Sequence, residues 1–561
     1  MHKGLRRATA RGVLVAVVIA MAATSPIAQA SAIVCATADF DGDGNGDVAA
    51  SAMREDVEGA VDGGAVNVIY GTGATLDVTN DQYIYGSDQG TSNTPVAAND
   101  ETLRDPAEAG DFLGSALAAG DFNNDTFCDL AIGAYGENFS GATDAGAVEV
   151  VYGSASGLDL TTNEQLTQVV GGSLDHRREG GDYFGRALAV GDFNNDGSDD
   201  LAVGVPGENV GSTTNAGAVH VFFGDTVLGL DMADDLYIDA NSGADDTEVP
   251  NAPESGAEFG SVLAAGDFDN DGDDDLAVGA PRENYTRTNG DSTTTGITDA
   301  GAVTVLYSDG TTIDGTDGQF IVQGTLATGV GTLNLVESAE SYDRFGSSLA
   351  AGDVDGDGLD DLAIGAPLEN RGTDGAQYDA GVVHVLTGTA TGLEEATFWE
   401  QNDTPDSTSD LNEADDKFGA ALAIGDFDST DAGAELAIGA AEENFGATDS
   451  GAVELIEDPA DPLSATSFWT QNTTGVEDSS ESSDMFGAKL AVGNVTGGED
   501  DLLVGVIGER SGSVKLVGQL HVLPGSATAF DTAADSVWSQ DTAGIRGGSD
   551  SGDQWTIGLD G

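Results

Sequence analysis

One unit, opened by an Asp-rich loop, recurs seven times along this 561-residue chain, at Asp39, Asp121, Asp192, Asp267, Asp353, Asp426 and, in degraded form, Asn494. A repeat of this kind is a supersecondary unit that cannot bury its apolar face alone and must stack on its neighbours. Most loops follow a short Phe-Gly segment such as 345–352, and each is followed by an apolar, small-residue segment such as 361–367. A third segment comes next, as in 64–70 and 217–223, and stretches such as 396–401 suggest a fourth. These segments are short, β-branched or small, and set between Gly, Asn and Asp clusters, which is the chemistry of strands and turns, with no sustained helical period. Four strands per unit, seven times over, predict an all-β, seven-bladed β-propeller of four-stranded antiparallel blades, since radial repetition leaves only short, protected sheet edges. A parallel β-helix is built from much shorter repeats.

The loops carry the chemistry. In 267–275, carboxylates stand at positions 1, 3, 5 and 9 (Asp267, Asp269, Asp271, Asp275), Gly272 supplies the turn, and Asp273 at position 7 can add its carbonyl oxygen. Two unit charges 4 Å apart repel by about 1 kcal/mol in water and about 4 kcal/mol at an effective dielectric of 20, and a divalent cation removes that penalty. Many oxygen ligands on a flexible loop favour calcium over magnesium. The same spacing recurs in Asp39, Asp41, Asp43 and Asp47 with Asn45 at position 7, in Asp192, Asn194, Asp196 and Asp200 with Ser198, and in Asp353, Asp355, Asp357 and Asp361 with Leu359. Asp121, Asn123, Asp125 and Asp129, with Phe127, keep the ligand spacing, but Thr126 stands where Gly is expected, which predicts a strained turn. The sixth loop, with Asp426, Asp428 and Glu435, is one residue longer and has Ala432-Gly433 at its turn; it stays open as a metal site. The seventh has lost its leading carboxylates and is predicted to hold its turn by hydrogen bonds, without metal. An EF-hand shares the opening spacing but needs flanking helices, whereas 276–279 reads directly as a strand.

Phe-Gly, then the Asp-rich loop, then Gly-Ala-Pro is the pattern of FG-GAP repeats, and the chain resembles the β-propeller of integrin α subunits across nearly all of residues 31–561. Phe184-Gly185, Phe259-Gly260, Phe345-Gly346, Phe418-Gly419 and Phe486-Gly487 carry the first motif, Leu113-Gly114 carries it with Leu for Phe, and Gly279-Ala280-Pro281 with Gly365-Ala366-Pro367 give the third. The resemblance implies calcium on the lower face, in the loop between a blade's first two strands, with ligand recognition on the upper face. The first unit lacks Phe-Gly, and 552–559 looks like the start of another repeat, so either tail could close the ring.

Residues 1–30 read as an export signal: Lys3, Arg6, Arg7 and Arg11, an apolar run from Val13 to Ala23, and Ala28-Gln29-Ala30 before the expected cleavage. The run is too short to span a bilayer as a helix, and no later stretch qualifies, so the expectation is a secreted or cell-surface protein with no transmembrane segment. With 99 acidic against 18 basic residues and a net charge of −81, the chain is unsuited to binding nucleic acid through its phosphates. Cys35 and Cys128 could pair in an oxidising compartment, but their spacing does not show that they meet.

His220, His384 and His521 occupy one strand position in separate repeats, which favours a structural slot over catalysis, and no nucleophile elbow, zinc spacing or phosphate loop is present. Glu208-Asn209, Glu283-Asn284, Glu369-Asn370 and Glu443-Asn444 begin the loops opposite the Asp loops, where Asn suits a turn. The most variable of these, 285–299, forms with Arg282 and Arg287 the first candidate for recognition, and His176-Arg177-Arg178 is the basic cluster of a blade connection. The sequence therefore predicts a non-catalytic, integrin-like adhesion or ligand-binding module stiffened by calcium. Its partner would be an extracellular protein or glycan on the face opposite the loops. The competing reading is the propeller of an extracellular polysaccharide- or phospholipid-acting hydrolase.

Overall fold

Each unit folds into one twisted sheet whose strand order follows the chain, and the seven sheets form the seven blades of a β-propeller. The structure is a computed structural model describing residues 32–33, 39–86, 100–103, 106–168, 177–226, 229–230, 235–240, 253–288, 294–313, 318–324, 332–371, 378–401, 413–428, 433–461, 464–511, 514–527, 529–548 and 551–556. The expected export signal, Cys35 and His176 lie outside them. Blade five shows the plan: Ser348–Gly352, Asp361–Ala366, Val382–Thr387 and Glu394–Trp399 pair antiparallel in sequence, from Gly352 opposite Asp361 outward. Its second strand, DLAIGA, is buried at every position, so it reads as a continuous apolar run without alternation.

Four strands per blade is the rule, and blades one and four add to it. In blade one Asp100–Leu103 joins as a fifth strand, parallel to Leu76–Gly86; in blade four Thr332–Leu335 joins parallel to Gln319–Gln323. Blade four also grows a hairpin, Tyr285–Thr288 against Thr294–Ile297, from the 285–299 loop. Helix among the described residues amounts to little more than the 3₁₀ turn Thr532–Ala534.

The motif residues are where blades touch. Phe184, Phe345, Phe418 and Phe486 are fully buried. Gly365, the first residue of Gly-Ala-Pro in blade five, faces the Phe-Gly carbonyl of blade six so closely that a Cβ would lie 2.3 Å from Gly419 O. The Gly-Ala-Pro and Phe-Gly motifs of successive repeats are thus two sides of one blade contact, and only the absence of a side chain permits it.

At the loop end, seven backbone hydrogen bonds of 2.8–3.3 Å join each Asp loop to the next: Cys128 N–H to Asp39 O, Asp199 to Asp121, Asp274 to Asp192, Asp360 to Asp267, Ala434 to Asp353, Asp500 to Asp426, and Gly46 to Asn494. The last bond runs from blade one back to blade seven and closes the circle. Both tails meet at this seam. Ala32–Ile33 pairs with Val48–Ala52 as the inner strand of blade one. Trp555, fully buried, takes the place of the missing Phe: its N–H donates to Val517 O at 2.7 Å, as Phe259 donates to Ala216 O, and the following Thr556 donates to Ser51 O. Its indole Nε1 reaches Asn67 Oδ1 at 3.0 Å.

Candidate metal centres

Every one of the first five loops is wound by the same side-chain-to-backbone bonds. The position-1 carboxylate accepts N–H groups from positions 5 and 6, as when Asp121 takes those of Asp125 and Thr126 at 2.9 and 2.8 Å. The position-5 carboxylate accepts the N–H of position 7: Asp43 from Asn45, Asp125 from Phe127, Asp196 from Ser198, Asp271 from Asp273 and Asp357 from Leu359, at 2.9–3.1 Å. These Asx turns aim the side chains of positions 1, 3 and 5 at one point. One oxygen from each of Asp39, Asp41 and Asp43 lies within 4.8 Å of the others, and the same holds for Asp267, Asp269 and Asp271 and for Asp353, Asp355 and Asp357. Burial, then the neighbouring carboxylates, pushes Asp41, Asp269 and Asp355 above the ordinary range. Asn123 and Asn194 hold position 3 in blades two and three, where one charge fewer converges.

Two positions of each loop have left-handed backbone. Position 6 is Gly44, Gly197, Gly272 or Gly358 with φ between 89° and 100°, and Thr126 is held at 79° in blade two. The strained turn read from the sequence is present. Position 4 is also left-handed, at Gly42, Asn124, Asn195, Asn270 and Gly356, which explains its Asn-or-Gly alternation.

Position 9 sits apart from the converging trio and works inward. Asp47, Asp129, Asp200, Asp275 and Asp361 are fully buried. Each takes the N–H of position 2 on one oxygen and an N–H at or just past the end of the third strand on the other, as Asp200 does from Phe193 at 2.9 Å and Gly224 at 2.7 Å. Burial drives Asp47, Asp129 and Asp200 up to about 8, Asp275 to about 9 and Asp361 to about 7. In the first four loops both oxygens keep a second lone pair, and in the fifth Asp361 Oδ2 also takes Asp355 N–H at 3.3 Å, so position 9 can serve a cation from behind through a remaining lone pair while bracing the blade.

Position 8 carries a role the spacing did not reveal. Asp199, Asp274, Asp360 and Asp500 each accept the position-1 N–H of the preceding loop, at 2.7–3.2 Å. The doubled Asp-Asp at the end of these loops was its visible signal. In the sixth loop Glu435 performs the position-9 task, taking Phe427 N–H at 2.6 Å, while residues 429–432 lie outside the described part. The seventh turn is held by Asn494 Nδ2 to Gly498 O at 2.8 Å and by Thr496 to Asp501.

The sequence profile of the FG-GAP repeat matches residues 113–151, 184–222, 259–306 and 345–386. These are the inner strands and Asp loops of blades two to five. Four of the seven blades carry matched FG-GAP repeats. Phosphatidylinositol-glycan-specific phospholipase D of Rattus norvegicus is 34% identical over 172 residues, 30% of this chain and 18% of that protein. Integrin alpha-5 of Xenopus laevis is 31% identical over 216 residues, 38% of this chain and 16% of the integrin subunit. The FG-GAP chain thus spans less than a fifth of these relatives. Among solved structures, Bacillus licheniformis rhamnogalacturonan lyase PL11 aligns over 79% of this chain and 75% of its own, at 11% identity and a TM-score of 0.32, too loose to bear on function.

The opposite end of the FG-GAP propeller is acidic and ordered too. Glu55, Glu137, Glu208, Glu283, Glu369, Glu443 and Glu509, three residues past each second strand, are all buried. In five blades the Glu receives a Gln amide from the preceding blade: Gln540 to Glu55, Gln168 to Glu208, Gln323 to Glu369, Gln401 to Glu443 and Gln471 to Glu509. Burial, then Asp182, lifts Glu208 to about 8; burial and the charge of Asp343 lift Glu369 further. In blades three to six the Asn after the Glu closes its loop: Asn209 Oδ1 accepts Asn215 N–H, Asn284 accepts Asp299, Asn370 accepts Asp379 and Asn444 accepts Asp449, at 3.0–3.3 Å. Turn formation accounts for these asparagines.

The three histidines lie under the Phe-Gly rings, with centroid distances of 5.8 Å for Phe184–His220, 5.5 Å for Phe345–His384 and 5.4 Å for Phe486–His521. Each sets Nδ1 against a carboxylate, of Asp235, Glu395 or Asp535. They are packing groups in separate blades. Arg282 of the recognition candidate bonds Glu258 at 2.7 Å, and Arg178 lies 3.6 Å over the Phe139 ring. The side chain of Arg287 lies outside the described residues.

Proposed function

We propose that this protein is a secreted, calcium-loaded FG-GAP propeller that binds an extracellular protein or glycan, with calcium clamping the blades and taking no part in chemistry. The observation that carries this reading is the convergence of three carboxylates at three separate loops on identically wound turns. Such a set is costly without a divalent cation and suited in ligand type to calcium. The loops lie on a closed hydrogen-bonded ring, so an ion in one braces the next. The likeness to an integrin α subunit supports a binding role, with recognition by the loops opposite the ions, where the blade-four hairpin and its Arg282 stand.

Similarity to a phospholipase D supports a second reading, in which the propeller accompanies a hydrolase acting on extracellular glycan or phospholipid. Thermal unfolding with and without chelator, combined with a count of bound calcium, tests the first claim. An unchanged melting temperature on chelation overturns it. Turnover of a glycan or phospholipid substrate, lost on substitution in the 285–299 loop, would favour the second reading; saturable binding to cell-surface protein without turnover would favour the first.

A further inference from the structure

We propose that blade five holds a second cation site at the strand ends away from the Asp loops, formed by Glu340, Asp343, Glu369 and Gln323, and that it takes calcium. One carboxylate oxygen from each of Glu340, Asp343 and Glu369 lies within 4.8 Å of the others. Asp361–Ala366 separates this cluster from the blade-five Asp loop: the loop ends at Asp361 and Glu369 lies three residues beyond Ala366. At about 3.3 Å per residue, the two sites are some 20 Å apart along the strand.

The acidic cluster does not stand alone. Gln323, from blade four, is fully buried. It donates Nε2 to Glu369 Oε2 at 3.2 Å, with His384 Nε2 at 3.3 Å, which fixes the amide at this cluster. Among the described residues, Gln323 Oε1 is buried with no hydrogen-bond partner, and so is Asp343 Oδ1, while Asp343 Oδ2 takes the Glu340 N–H. Two buried acceptor oxygens therefore stand at this cluster of three carboxylates without a donor of their own among the described residues. Arg371, the nearby cation, is occupied by Glu400 at 2.5 Å and Glu337 at 3.1 Å. Buried acceptors are ordinarily paired, and a set made only of carboxylate and amide oxygens suits a hard divalent ion. The same unpartnered pair recurs at Asp182 Oδ1 with Gln168 Oε1 and at Asp484 Oδ1 with Gln471 Oε1, so the arrangement belongs to the repeat and not to one blade.

The test uses the whole chain, stripped of metal and titrated with calcium chloride alone. Asp343→Asn with Glu369→Gln keeps the shapes and removes two charges; Asp355→Asn with Asp357→Asn does the same to the blade-five Asp loop. Each pair should lose one bound calcium relative to wild type, and the four-site variant two. A wild-type count in the Asp343→Asn/Glu369→Gln protein overturns the proposal, whereas a wild-type count in the loop variant would instead count against the Asp-loop reading. Should the first variant fail to fold, crystals of wild-type protein soaked in terbium chloride decide: an anomalous peak among Glu340, Asp343 and Glu369 is expected, and none there overturns the proposal.

Discussion

Asp196 and Asp200 stand four residues apart in one loop, yet their carboxylates answer to different neighbours. Asp200 is buried and holds two backbone N–H groups, whereas Asp196 is exposed and holds only Ser198 N–H. Stranding two buried donors costs about 1–3 kcal/mol each, so Asp200→Ala should destabilise by roughly 2–5 kcal/mol with or without calcium. Asp196→Ala should cost under about 1 kcal/mol in metal-free protein and lose most of its ion-dependent stabilisation. Urea unfolding of both variants, with calcium and after stripping, separates the two roles. Thr126, a β-branched residue at φ 79°, gives a second residue-scale case. Left-handed backbone costs a non-Gly residue about 1–2 kcal/mol, partly offset by the extra chain entropy of glycine. Thr126→Gly is therefore expected to raise stability by about 0.5–1 kcal/mol in the same assay. The recurrence of positions 1, 3, 5 and 9 was legible in sequence because their spacing is local. The inward duty of position 9 was not, because Gly224 lies 24 residues from Asp200 and meets it only once the third strand has paired.

Gly365 and Gly419 belong to neighbouring elements whose contact defines the repeat. A methyl group at Gly365 would lie 2.3 Å from Gly419 O, and Gly439 faces Gly487 O at 2.1 Å in the same way. Overpacking of a rigid contact costs typically 1–3 kcal/mol, so Gly365→Ala should lose about 3 kcal/mol, near the upper end because the opposing atom is backbone. Denaturant midpoints would show it, and a neutral result would mean that blades separate readily. The recurrence of both motifs was plain in the chain, and the fourth strand was foreseeable from its composition. The parallel fifth strands of blades one and four were not, since Asp100–Leu103 and Thr332–Leu335 are only four residues long and pair where an outer edge comes within reach in the folded blade.

Across the whole molecule, closure depends on contacts between residues nearly five hundred positions apart. Trp555 fills the slot of the absent first Phe and bonds Asn67, so Trp555→Ala should cost about 3–5 kcal/mol, the usual range for a buried aromatic. Calorimetry would register this as a lower melting temperature with faster proteolysis at the blade-one seam. The pH response is equally a property of the ring. In metal-free protein, Asp47, Asp129 and Asp200 at about 8 and Asp275 at about 9 stand above their unfolded values near 4, so folding favours their protonated forms. That stabilisation is complete below about pH 4 and is lost as pH rises through 8 to 9. Stripped protein should therefore melt at lower temperature at pH 8.5 than at pH 5, while the gain on adding calcium grows over the same interval as protons cease to compete. Scanning calorimetry at both pH values checks the sign.

By itself the sequence determined the number of blades, the four strands in each and the Asp loops between the first two of them, because repeat length and strand pattern are local properties. Only the tertiary structure decided that both tails share the seam, that position 8 ties one loop to the next, and that a buried Glu of one blade meets a Gln of another. Those contacts join residues from different repeats, and their partners become neighbours only when the ring closes.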